Sequence, residues 1–158
     1  MRNLLNKIAN PFMKVILRSP FHGLLSHSTM LINFIGRKSG KTYTIPVNYV
    51  RDGDTLVVLS RVNRTWWKNL RGGAPITVRV QGQDLRGAGV VFEDPKSVSQ
   101  SLLTLLQKVP TLRRHYPIRL TTNGQPENPE AFREMTQDKV IVRVTDLKPT
   151  GYQKTPTR

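Results

Sequence analysis

The sequence predicts an α+β fold in which an antiparallel β-sheet closes into a small barrel. Six short runs rich in β-branched and aromatic residues are separated by glycine, proline or aspartate turns, as in a series of hairpins. Helical apolar spacing is confined to a few segments, at the start, after the third strand and after the fifth. A length of 158 residues with 37% hydrophobic composition suits one domain around one core. The predicted strands are Leu31–Ile35, Thr42–Val50, Thr55–Ser60, Ile76–Val80, Leu85–Phe92 and Lys139–Val144.

Two turns organise the first three strands. The first is the basic glycine turn Gly36–Lys41, and the second contains Asp52-Gly53, where glycine supplies the positive φ of a two-residue hairpin. Pro46, inside the second run, has no N–H to donate to a ladder. We therefore expect that strand to lie at a sheet edge, to carry a bulge, or to leave backbone free for a ligand.

Helices are predicted at three places after the first hairpins. Thr65 is a candidate N-cap for a short helix over Trp66–Arg71, and the start of that helix is a candidate anion site. A second helix is predicted over residues 96–108 and a third over 130–135. The segment 110–128 between them is rich in loop signals.

The two ends of the chain carry different signals. Residues 1–28 form a basic amphipathic stretch that Pro11 and Pro20 interrupt, so each apolar run is far shorter than the roughly 20 residues needed to cross a bilayer. Two interpretations stay open for it: helices that cover the core, and peripheral docking on anionic lipid. No cleavable leader is expected, because a continuous apolar core is missing, and the cytoplasm is the default location. We expect a single domain over residues 1–147 and a flexible tail over 148–158.

The charge balance narrows the classes of ligand. Lysine and arginine number 25 against 10 acidic residues, a formal charge of +15 that favours phosphates, nucleic acid or an anionic membrane surface. The absence of cysteine excludes disulfides, thiolate metal sites and cysteine nucleophiles. His22, His27 and His115 lack the spacing of metal ligands, and no catalytic triad is expected. Nucleic-acid binding stays open, although no recognition-helix or zinc motif supports it.

The most informative stretch, residues 36–70, places a cationic turn and an aromatic helix start one hairpin apart. Arginine forks and backbone N–H groups suit phosphate, and flat aromatic or apolar walls suit a planar ring. Together the two segments could hold an anionic, flat ligand, although the turn could instead be a solvated hairpin tip. Trp66 and Trp67 are adjacent and cannot share a helix face, so one belongs to the core and the other to a wall of the groove or a partner contact. We expect Trp67 in the core.

Five segments occur in a specific order along the chain. They are Gly36-Arg37-Lys38-Ser39-Gly40-Lys41, Ile45-Pro46-Val47, Arg51-Asp52-Gly53-Asp54, Trp67-Lys68-Asn69-Leu70 and Pro75-Ile76-Thr77-Val78. In this order they resemble the deazaflavin-dependent nitroreductase family, also called the nitroreductase/quinone reductase family, over about residues 10–145. The resemblance implies a split β-barrel related to the FMN-binding barrels. It also implies an oxidoreductase that uses the reduced 8-hydroxy-5-deazaflavin coenzyme (coenzyme F-420) to deliver hydride to a quinone, a nitro compound or another activated small-molecule acceptor, with FMN as the less favoured cofactor.

The same resemblance implies which residues contact the cofactor. Turn residues would meet its phosphate and acidic tail, a strand would border the ring, and a strand end and the short helix would complete the site. The implied set is Arg37, Lys38, Ser39, Gly40 and Lys41 in the turn, Pro46, Val47 and Asn48 in the strand, Ser60 and Arg61 at the strand end, and Trp67, Lys68 and Asn69 in the helix. Because hydride chemistry belongs to the cofactor, the protein only has to orient two planes and exclude water, and no catalytic side chain is implied.

Other functions of the same barrel stay open at this stage. A non-catalytic carrier of a flavin, a tetrapyrrole or a fatty acid would need the same fold, since fold does not fix chemistry. Such a carrier would bind its ligand without hydride turnover. Barrels of this kind also pair edge to edge, so a homodimer is a further open prediction.

Overall fold

The structure, a computed structural model, describes residues 29–151 and contains one seven-stranded antiparallel sheet. The strands are β1 (Thr29–Ile35), β2 (Thr42–Asn48), β3 (Val50–Asp52), β4 (Thr55–Arg61), β5 (Ala74–Val80), β6 (Gln83–Phe92) and β7 (Lys139–Pro149). Their order across the sheet is β2-β1-β5-β6-β7-β4-β3. The described residues also form the helices α1 (Pro95–Lys108) and α2 (Pro129–Thr136) and the 3-10 helices Trp66–Leu70 and Pro110–His115.

The sheet curls because its two outermost strands are consecutive in the chain. Only Tyr49 separates β2 from β3, yet these strands lie at opposite ends of the strand order. The two ends must therefore meet, and β2 does contact β4. Among the described residues no ladder joins β2 to β4, so the barrel is split along this line. The predicted α+β split barrel is confirmed, and Pro46 lies on an edge strand as predicted.

Alternation along the strands divides the apolar side chains between the barrel interior and one outer face. The interior cluster contains Met30, Ile32, Phe34, Tyr49, Leu56, Val58, Trp67, Leu70, Ile76, Val78, Val80, Val140, Val142 and Val144. On the outer face of β4 and β7, α1 and α2 build a second cluster of Val57, Val98, Leu102, Leu105, Leu106, Phe132 and Ile141. The barrel is therefore packed inside and covered by helices on one side.

Both α-helices begin at side-chain caps followed by proline. The Asp94 carboxylate accepts a hydrogen bond from Ser97 N at 2.9 Å, which lowers the pKa of Asp94, and Asn128 Oδ1 accepts one from Ala131 N at 3.1 Å. The predicted cap at Thr65 is wrong. Its dihedral angles are helical (φ −102°, ψ −21°), its side chain makes no cap bond, and the following segment is a five-residue 3-10 helix rather than an α-helix. So short a helix offers no N-terminal anion site.

The predicted C-terminal tail begins too early in the sequence. β7 extends through Pro149, because its last residues pair with Leu85 and Arg86 beyond a β-bulge. The predicted start of a tail at residue 148 therefore falls inside a strand. Residues 1–28 lie outside the described residues, so the helices and the lipid contact predicted there stay predictions. None of the helices within residues 29–151 is long and apolar enough to span a membrane.

Candidate split-barrel cofactor site

The split between β2 and β4 brings together residues that are far apart in the sequence. β3 pairs in antiparallel register with the first three residues of β4. Continued along β2, that register would place three pairs opposite each other: Pro46 and Arg61, Val47 and Ser60, and Asn48 and Leu59. β2 instead pairs with β1, so these residues form the two edges of a gap. Five of them belong to the set that the sequence implied for cofactor binding.

The side chains at the β2 edge point in different directions. Val47 is paired with Met30, and both pack on the interior core, so Val47 offers the gap mainly its backbone. Pro46 and Asn48 project to the outer face, because side chains alternate along a strand. Asn48 Oδ1 accepts a hydrogen bond from the Thr29 hydroxyl at 3.0 Å. The β2 edge thus combines a flat proline ring with an oriented amide.

The cationic turn lies at the end of the barrel where β1 ends and β2 begins, which we call the mouth. Gly36 N donates to Lys41 O and Gly40 N donates to Gly36 O, both at 2.8 Å. Gly40 has a φ of 67°, a conformation that glycine adopts without strain. Two backbone bonds therefore close the turn, and the side chains of Arg37 and Lys38 are exposed.

The turn and the first 3-10 helix are joined by side-chain hydrogen bonds. Arg37 N donates to Asn69 Oδ1 at 3.0 Å, while Asn69 Nδ2 donates to Trp66 O at 3.0 Å. Ser39 Oγ accepts a bond from Lys41 N at 3.2 Å. Asn69 and Ser39 therefore position the cationic turn against the helix.

Three aromatic rings line the mouth beneath the turn. The rings of Phe34 and Tyr43 stack with centroids 5.7 Å apart and an interplanar angle of 22°, and Trp66 lies 6.2 Å from Phe34. Trp66 Nε1 donates to Ser60 Oγ at 3.2 Å, and the Tyr43 hydroxyl lies 3.1 Å from Ser39 Oγ. Trp66, which the sequence assigned to a wall of the groove or to a partner contact, connects the turn side of the mouth to the β4 edge.

Trp67 occupies the core side of the same helix, as predicted. Its side chain is buried with 2% of its surface exposed, and its Nε1 donates to Arg61 O at 3.0 Å. The cationic groups of Lys68 and Arg71 lie 5.7 Å and 5.0 Å from its ring centroid. Trp67 therefore fixes the end of β4, which carries Ser60 and Arg61.

A cavity of about 690 Å³ lies on the outer face of the barrel, below the split. Asn48 and Leu59, which form the lower end of the split, also line this cavity. Its other walls come from β3, α1 and the second 3-10 helix, and include Arg51, Val57, Leu102, Leu105, Val109, Thr111, Leu112, His115 and Tyr116. Burial raises the pKa of Tyr116, so its phenol stays protonated well above neutral pH. Sequence reasoning missed this wall, because segment 110–128 showed only loop signals.

The residues that the family resemblance implied for cofactor binding occupy both ends of the split. The turn and the 3-10 helix lie at the mouth, whereas Asn48 lies at the far end of β2, about 20 Å from Thr42 for six residues of strand, and the end of β4 lies between them opposite Pro46 and Val47. Within residues 29–151 no group of histidine, aspartate and glutamate side chains is arranged to hold a metal ion. A compact ligand could not reach both ends. A long, flat molecule with an anionic tail could.

Comparison with known proteins identifies the family. The model of the F420H2-dependent quinone reductase family matches residues 19–109, more than half of the chain. The chain belongs to this family. It is therefore an oxidoreductase that uses the reduced deazaflavin coenzyme, and the resemblance seen in the sequence is confirmed.

Solved structures with a similar fold are only distantly related in sequence. An F420 reductase is 16% identical over 82% of this chain and 97% of its own, with a TM-score of 0.43. The FAD and heme binding protein from Mycobacterium smegmatis is 14% identical over 89% of this chain and 75% of its own, with a TM-score of 0.49. A putative pyridoxamine 5'-phosphate oxidase from Listeria innocua is 10% identical over 80% and 90%, with a TM-score of 0.46. No curated protein matches the chain.

A substitution at Gly36 tests whether the shape of the turn matters for coenzyme binding. A methyl group at Gly36 would lie 2.7 Å from both Ser39 Oγ and Tyr43 Cε2, so one of these side chains would have to move. We expect Gly36→Ala to weaken binding of the deazaflavin coenzyme about tenfold, as measured by fluorescence titration.

Gly53→Ala is the matched control for that substitution. Gly53 has a φ of 58°, and a methyl group added there would have no other atom within 4 Å, so alanine only strains a hairpin at the opposite end of the barrel. We expect Gly53→Ala to lower thermal stability and leave coenzyme affinity unchanged. Equal affinities for the two variants would contradict a role for the turn.

Proposed function

We propose that this protein is a quinone reductase whose split holds the reduced deazaflavin coenzyme and whose adjoining cavity holds the acceptor. When bound, the coenzyme supplies the hydride. The observation that carries the proposal is the absence of a hydrogen-bonded ladder between β2 and β4 in the described chain. Residues from the two strands therefore lie on opposite edges of one gap. Membership of the quinone reductase family supports the reaction class.

The mouth is the end of the site that suits the anionic part of the coenzyme. Arg37, Lys38 and Lys41 are exposed there, and none of them forms an ion pair with a carboxylate of the described residues. Arginine and lysine side chains make strong charge-assisted hydrogen bonds to phosphate and carboxylate oxygens. Because backbone bonds fix the turn, these cations are held near the mouth before a ligand arrives.

The body of the split suits a planar ring. Pro46 and the backbone of Val47 border one side, and the end of β4 borders the other. Ser60 is oriented by the indole N–H of Trp66, so a polar hydroxyl is fixed at the β4 edge. In this arrangement the protein orients the ring plane and excludes water from one of its sides.

The cavity below the split suits a second flat, apolar molecule. Leucine and valine supply seven of its fourteen lining residues, and Asn48, Arg51, His115 and Tyr116 are among those that supply polar groups. A quinone needs this combination, because its ring is apolar and its two carbonyl oxygens accept hydrogen bonds. The protonated Tyr116 phenol can donate one of those bonds. We therefore favour a quinone over a nitro compound or another activated acceptor.

Rapid-mixing kinetics test the proposed reaction. Protein loaded with reduced coenzyme would be mixed with a soluble short-chain naphthoquinone or with a nitroaromatic compound, and coenzyme oxidation would be followed by absorbance. We expect a single-turnover rate that saturates with quinone concentration and exceeds the rate without protein. Oxidation no faster than in the protein-free control would remove the catalytic proposal. Faster oxidation by the nitroaromatic compound would remove the preference for quinones.

Filling the cavity separates acceptor binding from coenzyme binding. Thr111 is exposed and lines the cavity, so Thr111→Trp introduces a large ring into it without removing core packing. We expect kcat/KM for the naphthoquinone to fall about tenfold or more, while coenzyme affinity stays unchanged. Thr122→Trp, at an exposed position that does not line the cavity, is the matched control. If both variants keep the original kcat/KM, the acceptor does not use this cavity.

Location and assembly stay predictions for this protein. The cytoplasm remains the expected compartment, and a homodimer paired edge to edge remains an expected assembly. Analytical ultracentrifugation of the purified chain would decide whether it is a monomer or a dimer.

A further inference from the structure

Exposed apolar side chains in the described chain are concentrated at the mouth. The large hydrophobic residues that remain exposed within residues 29–151 are Ile35 at 58%, Tyr43 at 43% and Val62 at 43%. Ile35 ends β1, Tyr43 follows the turn at the start of β2, and Val62 follows the last residue of β4. All three strand ends lie at the mouth, so these side chains surround one end of the barrel.

Unpaired cations are interleaved with these apolar side chains. Exposed basic residues of the same strand ends, turn and 3-10 helix are Arg37, Lys38, Lys41, Arg61, Arg64 and Lys68. None of the six forms a salt bridge with a carboxylate of residues 29–151, although the charge of Arg61 contributes to the lowered pKa of Asp138. The nearby acidic residues Glu93 and Asp138 are instead paired with Arg71 and Lys139, and the bond to Lys139 lowers the pKa of Asp138. The mouth therefore presents net positive charge together with protruding apolar groups.

We propose that this mouth surface docks on an anionic lipid bilayer. Each lysine or arginine close to an anionic membrane strengthens binding about fivefold, and aliphatic and tyrosine side chains gain by entering the headgroup region. The surface is distinct from residues 1–28, whose sequence predicts lipid contact on separate grounds. A bilayer is also the phase in which long-chain apolar quinones dissolve.

The apolar groups favour a bilayer over a nucleic acid. Phosphate-backbone binding uses cations and polar groups and gains little from exposed isoleucine and valine side chains. A membrane surface uses both kinds of group at once. Two of the apolar residues, Ile35 and Val62, and one of the cations, Arg64, lie outside the residues proposed to bind coenzyme. They can be changed without touching that site.

Vesicle sedimentation of the full chain, without coenzyme, tests the proposal. One set of vesicles contains phosphatidylcholine alone and the other contains two parts phosphatidylcholine to one part phosphatidylglycerol. We expect binding to the anionic vesicles only. The combined variant Ile35→Ser, Val62→Ser and Arg64→Ser should lower the partition coefficient at least about tenfold. These side chains are exposed, so circular dichroism should show an unchanged fold.

Arg114→Ser provides the matched loss of charge away from the mouth. Arg114 is exposed on the second 3-10 helix, whose neighbouring residues line the cavity with Asn48 at the opposite end of β2. We expect this variant to bind anionic vesicles as the original chain does. Undiminished binding by the triple variant would place lipid contact elsewhere, as in residues 1–28, and would overturn the proposal. Tighter binding to duplex DNA that survives Ile35→Ser and Val62→Ser would overturn it in favour of nucleic acid.

Discussion

Replacing Arg37, Lys38 and Lys41 together with glutamine should weaken binding of the deazaflavin coenzyme at least about a hundredfold. Each charge-assisted hydrogen bond to an anionic group contributes about 1.5–3 kcal/mol, and exposure of the turn reduces that value through solvent screening. Three contacts at the lower end of the range still amount to several kcal/mol. The measurement is a fluorescence titration of the variant and the original chain in the same buffer.

The turn should keep its shape in this variant, since the bonds that hold it come from the backbone of Gly36, Gly40 and Arg37. A matched control removes three cations elsewhere, with Arg114→Gln, Arg119→Gln and Lys148→Gln, all exposed. The control has the same net charge, so it separates local contacts from the general attraction of a basic protein for an anion. If the two triple variants lose affinity equally, the turn is not the anion site.

Trp67→Ala should cost about 3–5 kcal/mol of unfolding free energy, the range for truncating a buried aromatic residue. The side chain is 2% exposed within the interior core, and its loss also leaves Arg61 O without the indole donor. Trp67→Phe keeps most of the packing but still removes the donor, so it should cost about 1–3 kcal/mol. Urea unfolding followed by circular dichroism measures both changes.

The neighbouring tryptophan is the control for that pair of variants. Trp66 is only half-buried and its indole donates to Ser60 rather than to a backbone carbonyl, so Trp66→Phe should cost less than Trp67→Phe. The opposite order would mean that the two tryptophans have been assigned to the wrong sides of the 3-10 helix.

Local signals in the sequence were enough to predict most of the sheet. Runs of β-branched and aromatic residues between turns predicted the strands, and Asp52-Gly53 predicted a hairpin. Pro46 indicated an edge, a bulge or free backbone, and the structure has the edge strand. Each of these features acts within a few residues. Adjacency indicated that only one of the two tryptophans lies in the core, and the choice of Trp67 is confirmed. The cap at Thr65 failed because Asn69 and Trp67 tie this segment to the turn and to β4, and these tertiary contacts hold it as a short 3-10 helix.

The site itself depends on contacts that no local pattern encodes. One run was predicted where the structure has β2 and β3, and the break at Tyr49 creates the split. The cavity wall at Leu112 and Tyr116 comes from a segment with loop signals, and only packing against α1 gives it a fixed position. The sequence resemblance supplied a list of residues. Because no ladder joins β2 to β4 in the described chain, residues from these two strands can face one ligand.

A fluorescence titration of the purified protein with the deazaflavin coenzyme, in parallel with FMN and at low and moderate salt, would show whether the split is a specific deazaflavin site. We expect saturable binding of the deazaflavin that survives moderate salt, together with weaker binding of FMN. Surface attraction to a basic protein would disappear as salt screens it, whereas contacts inside the split would persist. Binding of neither cofactor, or binding that vanishes at moderate salt, would show that the split is not a deazaflavin site.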